Sequence, residues 1–110
     1  MFNLESHNRV DNSERGFRQA NLRNEQMLIE LVELQEMITP GEVLKTISPK
    51  AQITGVYKIG FTVDDIDSWH DQLEKFNVEF YGNIVTDVVS GKKTFLIKDP
   101  EGNTLQFFEK

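Results

Sequence analysis

The sequence predicts an α+β domain in which one small strand-rich module occurs twice, the first time in shortened form. Three observations predict it. Residues 55–110 read as a strand, a helix and three further strands. The end of that stretch has an echo 76 positions upstream. Nothing in the chain repeats the segment from Tyr57 to Phe76. At 110 residues the chain has the length of one domain, able to bury roughly two-thirds of the surface its unfolded form exposes.

The first 26 residues are polar, with Asn at 3, 8, 12, 21 and 24 and a weak alternation of Phe17, Ala20 and Leu22, so loop or irregular strand is expected there. Gln26–Leu34 is apolar on both parities apart from its acids, which suits a strand covered on both faces. Its length and the Thr39-Pro40-Gly41 break favour strand over helix. Residues 1–34 thus make a partial first module of three strands. Residues 35–54 form a linker with Pro40, Gly41 and Pro49, in which Val43, Leu44 and Ile47 suit a short turn of helix.

From Gly55 the pattern sharpens. Tyr57, Ile59, Phe61 and Val63 alternate with Val56, Lys58, Gly60 and Thr62 in period two, as a strand does. Asp64-Asp65-Ile66-Asp67 supplies capping side chains and negative charge where a helix begins. Ile66, Trp69, Leu73 and Phe76 then recur at helical spacing, leaving His70, Asp71, Gln72, Glu74 and Lys75 for solvent. Strands follow at Val78–Ile84, Lys93–Lys98 and Thr104–Glu109, the last two joined by Asp99-Pro100-Glu101-Gly102-Asn103. Pro100 presets φ and Gly102 permits a positive one, so this is a tight hairpin. Residues 55–110 are a complete βαβββ module, for seven strands and one main helix in all.

The echo places Ile29-Glu30-Leu31-Val32-Glu33 over Leu105-Gln106-Phe107-Phe108-Glu109, apolar-polar-apolar-apolar-acid in both copies. The same offset carries Phe2 onto Val78 and Leu4 onto Phe80. The first copy therefore opens after its own first strand and helix. A chain that is longer in nature, with Met1 an internal methionine, would also explain this.

Composition narrows the partners. Twelve Lys+Arg against 18 Asp+Glu give a net charge of −6, without the basic stripe that nucleic acid requires. There is no cysteine, which removes disulfides, thiolate metal sites and cysteine nucleophiles together. No segment approaches the ~20 apolar residues of a membrane helix, and the polar start Met1–His7 is not a signal peptide. A cytoplasmic location is the expectation, with no nucleic-acid and no membrane partner.

Gly55–Ile66, Trp69, Leu73, Val78-Glu79-Phe80 and Lys98–Glu109 together resemble the second module of the vicinal oxygen chelate superfamily, which includes glyoxalase I, fosfomycin and bleomycin resistance proteins, methylmalonyl-CoA epimerase and extradiol dioxygenases. The Asp-Pro-Glu-Gly-Asn turn followed by an alternating strand is the most specific part. Leu28–Glu33 resembles the first module more loosely. The resemblance implies paired βαβββ modules around a cleft, the first lacking its first strand and helix.

It also implies a divalent metal, Zn, Ni, Mn or Fe, held by one side chain from the first and one from the last strand of each module. The first module's last-strand ligand falls on Glu30. In the second module the first-strand ligand, usually His, falls on Lys58, and the last-strand ligand, usually Glu, on Gln106. The fourth position has no counterpart. Glu30 shares its strand face with Leu28 and Val32, where a carboxylate is costly unless it is paired, metal-bound or facing a wet cleft; the other reading is an acid on a solvent-facing sheet. Gln106 is equally ordinary on a half-exposed strand. Lys58 breaks the pattern, because a protonated ammonium has no lone pair and repels a cation. It is expected to stand in for the metal's charge and to pair with Glu30 and Gln106 across the cleft. A lysine with its pKa pushed down would instead serve as a base or form a Schiff base.

Two further groups invite other chemistry. His70, with Asp67 and Glu74 at helical spacing, belongs to a charged surface, and His7 lies in a polar stretch. Ser90-Gly91-Lys92-Lys93 is too short for a phosphate loop and reads as a hairpin turn. A metal-independent cleft for a small apolar or aromatic molecule, lined by Phe80, Phe95, Phe108 and Gln106, or a degenerate metal site, is the leading reading. The alternative is a metal-dependent lyase or isomerase of the glyoxalase I type, with Glu30 and Lys58 as its catalytic residues. The uncovered strand edge of the shortened module predicts a homodimer.

Overall fold

The computed structural model describes residues 2–47 and 55–110, which form two compact units, Met1–Ile38 and Thr39–Lys110. The expected linker residues 48–54 lie outside the described residues.

The first unit is an antiparallel sheet in the order β1-β2-β3, with β1 spanning Glu5–Asn12, β2 Phe17–Arg23 and β3 Leu28–Leu34. Its polar start, expected as loop or irregular strand, forms β1 and β2, with a register irregularity in β1. The asparagines at 12 and 24 sit at the turns: Asn12 Oδ1 accepts from the Arg15 amide, and Asn24 Oδ1 from those of Gln26 and Met27. Between the turns the pairing is backbone to backbone, so polar side chains on an open sheet cost little. Gly16, at φ 63, closes the single 3-10 turn from Ser13 to Arg15. His7 marks a β-bulge in β1. The expectation that Gln26–Leu34 is covered on both faces fails as well. The strand begins at Leu28, and Leu28, Leu31 and Leu34 stay about half exposed because the first unit holds no second layer.

The second unit has a mixed sheet in the order β4-β8-β7-β5. Here β4 is Lys58–Val63, β5 Glu79–Phe80, β7 Lys93–Lys98 and β8 Thr104–Glu109; β6, Val85–Thr86, pairs with β7. β4 runs parallel to β8, and the other pairs are antiparallel. Two helices accompany it. α1 covers Pro40–Ile47 and opens on a capping box, Thr39 Oγ1 accepting from the Glu42 amide and Glu42 Oε2 accepting from the Thr39 amide. α2 covers Ile66–Lys75, with Asp65 Oδ1 accepting from the Ser68 amide at 3.0 Å.

Alternation sorts the sheet into two faces. Ile59, Phe61, Val63, Phe95, Ile97, Leu105 and Phe107 point one way, and that face meets α2 through Ile66, Trp69 and Leu73. Phe95, wholly buried, stacks on Phe107 at 4.9 Å. Lys58, Gly60, Thr62, Thr94, Leu96, Lys98, Thr104, Gln106 and Phe108 occupy the face away from α2.

Two expectations about α2 change. Phe76 falls one residue past the helix and is two-thirds exposed. His70, expected in solvent, keeps only 15% of its side chain exposed, because its ring lies 4.4 Å from Phe80 and 5.2 Å from Phe95. The strand expected at Val78–Ile84 is two short pieces: the chain leaves the sheet after Phe80, passes Gly82 at φ +134, and returns at Val85. The Asp99–Asn103 hairpin forms as read, with Gly102 at φ +85. With β6 the described residues hold eight strands and two α-helices, one of each more than expected.

The internal repeat is real but not of constant offset. β3 and β8 start 76 positions apart, at Leu28 and Thr104. Register tells a finer story. Asn21 faces Glu30 as Leu96 faces Gln106, an offset of 75 on the middle strand, and Glu5 faces Arg23 as Glu79 faces Lys98, an offset of 74 on the outer one. The first-unit counterpart of Phe80 is therefore Ser6, and the expected match of Leu4 to Phe80 is two residues out. The physical reason is turn length: the β2–β3 turn is one residue shorter than the β7–β8 hairpin, and the β1 bulge replaces a longer excursion.

Candidate functional site

The face of the second unit away from α2 gathers the groups that suit chemistry. At its centre is Gln106, which is 7% exposed although it sits between two half-exposed positions of the β8 pattern. Its environment fixes its amide. The Thr94 hydroxyl, also buried, donates to the Phe107 carbonyl at 2.7 Å, which uses its one proton. Thr94 Oγ1 is then left as an acceptor, and it receives Gln106 Nε2 at 2.9 Å. The amide cannot flip without setting a carbonyl oxygen against an oxygen that has no proton to give. Gln106 Oε1 is thereby held in place, buried and without a hydrogen-bond partner.

Lys58 lies on the same face, one row from Gln106 along the sheet: it pairs with Thr104, and Gly60 pairs with Gln106. From a strand spacing of ~4.8 Å and two rises of ~3.3 Å, the Lys58 and Gln106 Cα atoms are about 8 Å apart, within the reach of a lysine side chain. Lys58 is exposed and has no partner among the described residues. The second cation of this face, Lys98, is engaged. Its Nζ donates to Glu79 at 2.7 Å and lies 4.9 Å from the Tyr81 ring centre, and the Glu79 hydrogen bond and then its charge hold the ammonium above its ordinary pKa. Tyr81 Oη meets Thr104 Oγ1 at 3.2 Å at the same rim.

Gly60 explains the remaining aromatic. A Cβ built there would meet Phe108 Cε2 at 2.9 Å, so the Phe108 ring lies across β4 at the residue paired with Gln106. Phe108 lies on the face away from α2, beside Gln106. Phe80 and Phe95 do not: both lie on the face that packs against α2, with ring centres 5.8 Å apart and each against His70. A wholly buried Phe95 is a core residue with no surface for a ligand, and the half-buried Phe80 packs in the same layer against His70.

Glu30 belongs to the first unit, where it is exposed and accepts from Gln19 Nε2 at 3.1 Å; Gln19 also donates to Asn21 at 2.8 Å. Lys58 and Gln106 come together on one face of the second unit, while Glu30 is placed by the sheet of the first. Sequence reading missed Gln19, Thr94 and Gly60. A signal for Thr94 exists: the hairpin fixes Lys98 opposite Thr104, and stepping back along both strands sets Leu96 opposite Gln106 with Thr94 diagonal to it.

A divalent ion does not fit what the Lys58 and Gln106 face of the second unit offers. One neutral amide oxygen beside an ammonium supplies neither the ligand number nor the charge that Zn, Ni, Mn or Fe takes from a protein. A different trio, His70, Asp71 and Glu74, brings potential ligand atoms within 4.8 Å of one another on α2. The His70 ring is wedged against Phe80, with Nδ1 3.8 Å from Glu74. Asp87 and Lys92 close the turn around Ser90–Gly91 as expected of a hairpin, with Ser90 donating through both its amide and its hydroxyl to Asp87. No helix among the described residues is long and apolar enough to cross a membrane.

Comparison with known proteins fits this geometry. The uncharacterized protein YwbC of Bacillus subtilis (strain 168) is 31% identical over 55 residues, half of this chain and 44% of its own length. The chain thus spans less than half of that relative. A glyoxalase family protein from Enterococcus faecalis superposes with a TM-score of 0.79 at 18% identity, over 97% of this chain and 79% of that one. A lactoylglutathione lyase from Agrobacterium tumefaciens does so with a TM-score of 0.59 at 18% identity, over 98% and 76%. At these identities the structures show a shared fold. The sequence profile of the Glyoxalase/Bleomycin resistance protein/Dioxygenase superfamily matches residues 2–107, and the chain belongs to that superfamily.

Proposed function

We propose that this protein binds a small molecule without a divalent ion, using the open face of its second unit, in the cytoplasm. The observation that carries the reading is the placement, on one face, of an exposed Lys58 ammonium and a Gln106 amide locked by Thr94, where the superfamily resemblance puts two metal ligands. An ammonium supplies positive charge to an incoming oxygen, as a metal would, but binds by hydrogen bonds and charge. Phe108 and Leu96 add apolar surface on the same face.

The test is metal content after incubation with Zn, Ni, Mn and Fe, together with a thermal-shift screen of aromatic ligands on the chelator-treated protein. The expected result is stabilisation by one or more ligands with no stoichiometric ion retained. An ion held one to one, and released by Gln106→Leu, would overturn the reading and favour a metal-dependent lyase or isomerase, for which methylglyoxal–glutathione turnover with metal is the assay. An ion released only by Glu74→Gln sits on α2 and leaves the reading intact.

The reading includes a homodimer formed along β3. Its outer edge has no strand partner among the described residues, although its counterpart β8 is paired on both sides. The run Leu28-Ile29-Glu30-Leu31-Val32-Glu33-Leu34 suits pairing with itself. Antiparallel about Leu31, Glu30 meets Val32, Glu33 meets Ile29 and Leu28 meets Leu34, so no two acids stand directly opposite.

A further inference from the structure

Gln106 Oε1 is a demand as well as a position. A buried carbonyl oxygen without a donor costs on the order of a hydrogen bond's worth of stability, and it is retained where something supplies the donor. Among the described residues nothing does: the Nε2 side of the amide is committed to Thr94, and Lys58 has no ion-pair or hydrogen-bond partner. The two unmet requirements on this face are opposite in kind. Gln106 needs an N–H or O–H, and Lys58 needs an anion or another acceptor.

We infer that the ligand of this face is a small carboxylate with a hydrogen-bond donor on the adjacent carbon, a 2-hydroxy or 2-amino acid. Its carboxylate pairs with Lys58 and its hydroxyl or ammonium donates to Gln106 Oε1. This rests on the metal-independent reading above and adds the ligand's chemical class to it. Such a molecule meets both requirements at once: its two polar ends are about 3 Å apart, and the lysine side chain spans the remaining distance to a Gln106 about 8 Å away along the sheet. Because Oε1 is closed off at rest, a group beside it has to move. The half-buried Phe108 ring, lying across Gly60 next to Gln106, is the group that turns aside, and it then offers its face to an apolar substituent of the acid.

The experiment compares mandelate with phenylacetate, two aromatic acids that differ by the 2-hydroxyl, on chelator-treated protein. Affinity is read from titration, and the Gln106 side-chain amide signals are followed in proton–nitrogen correlation spectra. Mandelate is expected to bind about fivefold to tenfold more tightly, as one hydrogen bond to a buried acceptor allows. It is also expected to shift the Gln106 amide signals, which phenylacetate leaves nearly in place. Gln106→Met should abolish the preference while keeping phenylacetate binding, and Lys58→Met should weaken both acids. The comparison on the unaltered protein stands even if a variant folds poorly. Equal affinity for the two acids, a preference that survives Gln106→Met, or no binding of either acid would overturn the inference. With metal-free protein, any of these removes the ligand class alone; only a stoichiometric ion released by Gln106→Leu removes the reading beneath it.

Discussion

Phe95 offers the sharpest test of which face of the second unit is core. Its side chain is wholly buried and sits within 6 Å, centre to centre, of three other rings: Phe107 at 4.9 Å, His70 at 5.2 Å and Phe80 at 5.8 Å. Removing a ring from such a site forfeits its transfer free energy and leaves a cavity that a sheet and helix cannot fully close. Phe95→Ala is therefore expected to cost about 3–5 kcal/mol. A unit of about 70 residues has a total stability of only ~4–11 kcal/mol, so that variant stands near unfolding. Phe95→Leu, which keeps most of the volume, is the measurable change, with an expected loss of about 1–2 kcal/mol. Urea unfolding followed by far-ultraviolet circular dichroism should show the midpoint falling at constant slope. Because Phe95 points toward α2, ligand binding at temperatures where the variant is folded should be unchanged. A stability loss below about 0.5 kcal/mol combined with loss of ligand binding would refute the assignment and return Phe95 to the ligand face.

The hairpin, a turn carboxylate and the sheet edge give three further tests. Asp99 accepts from the amides of Glu101 and Asn103 and from Asn103 Nδ2, at 2.9, 2.7 and 2.8 Å, so Asp99→Ala should cost about 1–2 kcal/mol in urea unfolding; an unchanged midpoint would contradict it. Asp87 is held below its ordinary pKa by the hydroxyl and then the amide of Ser90. A depressed folded-state pKa stabilises the turn above the unfolded value, and that support is lost as pH falls through the folded one. The Asp87 carboxyl should accordingly titrate below 3.8 in a carbon-detected pH series and move back up in Ser90→Ala; a midpoint unaffected by that change would refute the cause. Leu31→Lys sets two ammonium groups opposite each other at the centre of the proposed β3 pairing, so light scattering at low micromolar concentration should give the dimer mass for the unaltered chain and half of it for the variant. A monomer before substitution would end the dimer proposal.

The second unit was legible because its sequence agrees with itself at every level. Period-two alternation fixes β4, β7 and β8, Asp65 caps α2, and Pro100 with Gly102 sets the hairpin that locks β7 to β8. In the first unit three strands were expected, but only β3 could be placed from its own residues. β1 and β2 are held by backbone pairing under polar side chains, and a strand with no buried face leaves no hydrophobic period to read. His70 misled for a related reason. Its neighbours Asp71 and Glu74 mark a charged helix face, but the helix is rolled so that the imidazole meets Phe80, and roll is set by the partner layer. Lys58 and Gln106 were found from the superfamily resemblance, whereas the Thr94 hydroxyl that gives Gln106 its direction needed the strand register.

The two units share a relation that their residues do not. In each, the residue at the heart of the last strand is hydrogen-bonded to the one diagonal from it on the middle strand: Glu30 with Gln19, and Gln106 with Thr94. The direction of the bond reverses between them. A carboxylate only accepts, and the first unit sets an amide donor against it. An amide placed at the same point in the second unit has an N–H to dispose of, and there the middle strand supplies a hydroxyl whose own proton is already given to Phe107. The change from acid to amide is thus matched by its neighbour, so that Gln106 shows only its oxygen to the site. With a lysine one row away, the second unit sets one held acceptor beside one exposed cation where the superfamily resemblance puts two metal ligands. Under the proposed function, that combination selects a ligand by its hydrogen-bond donors and charge.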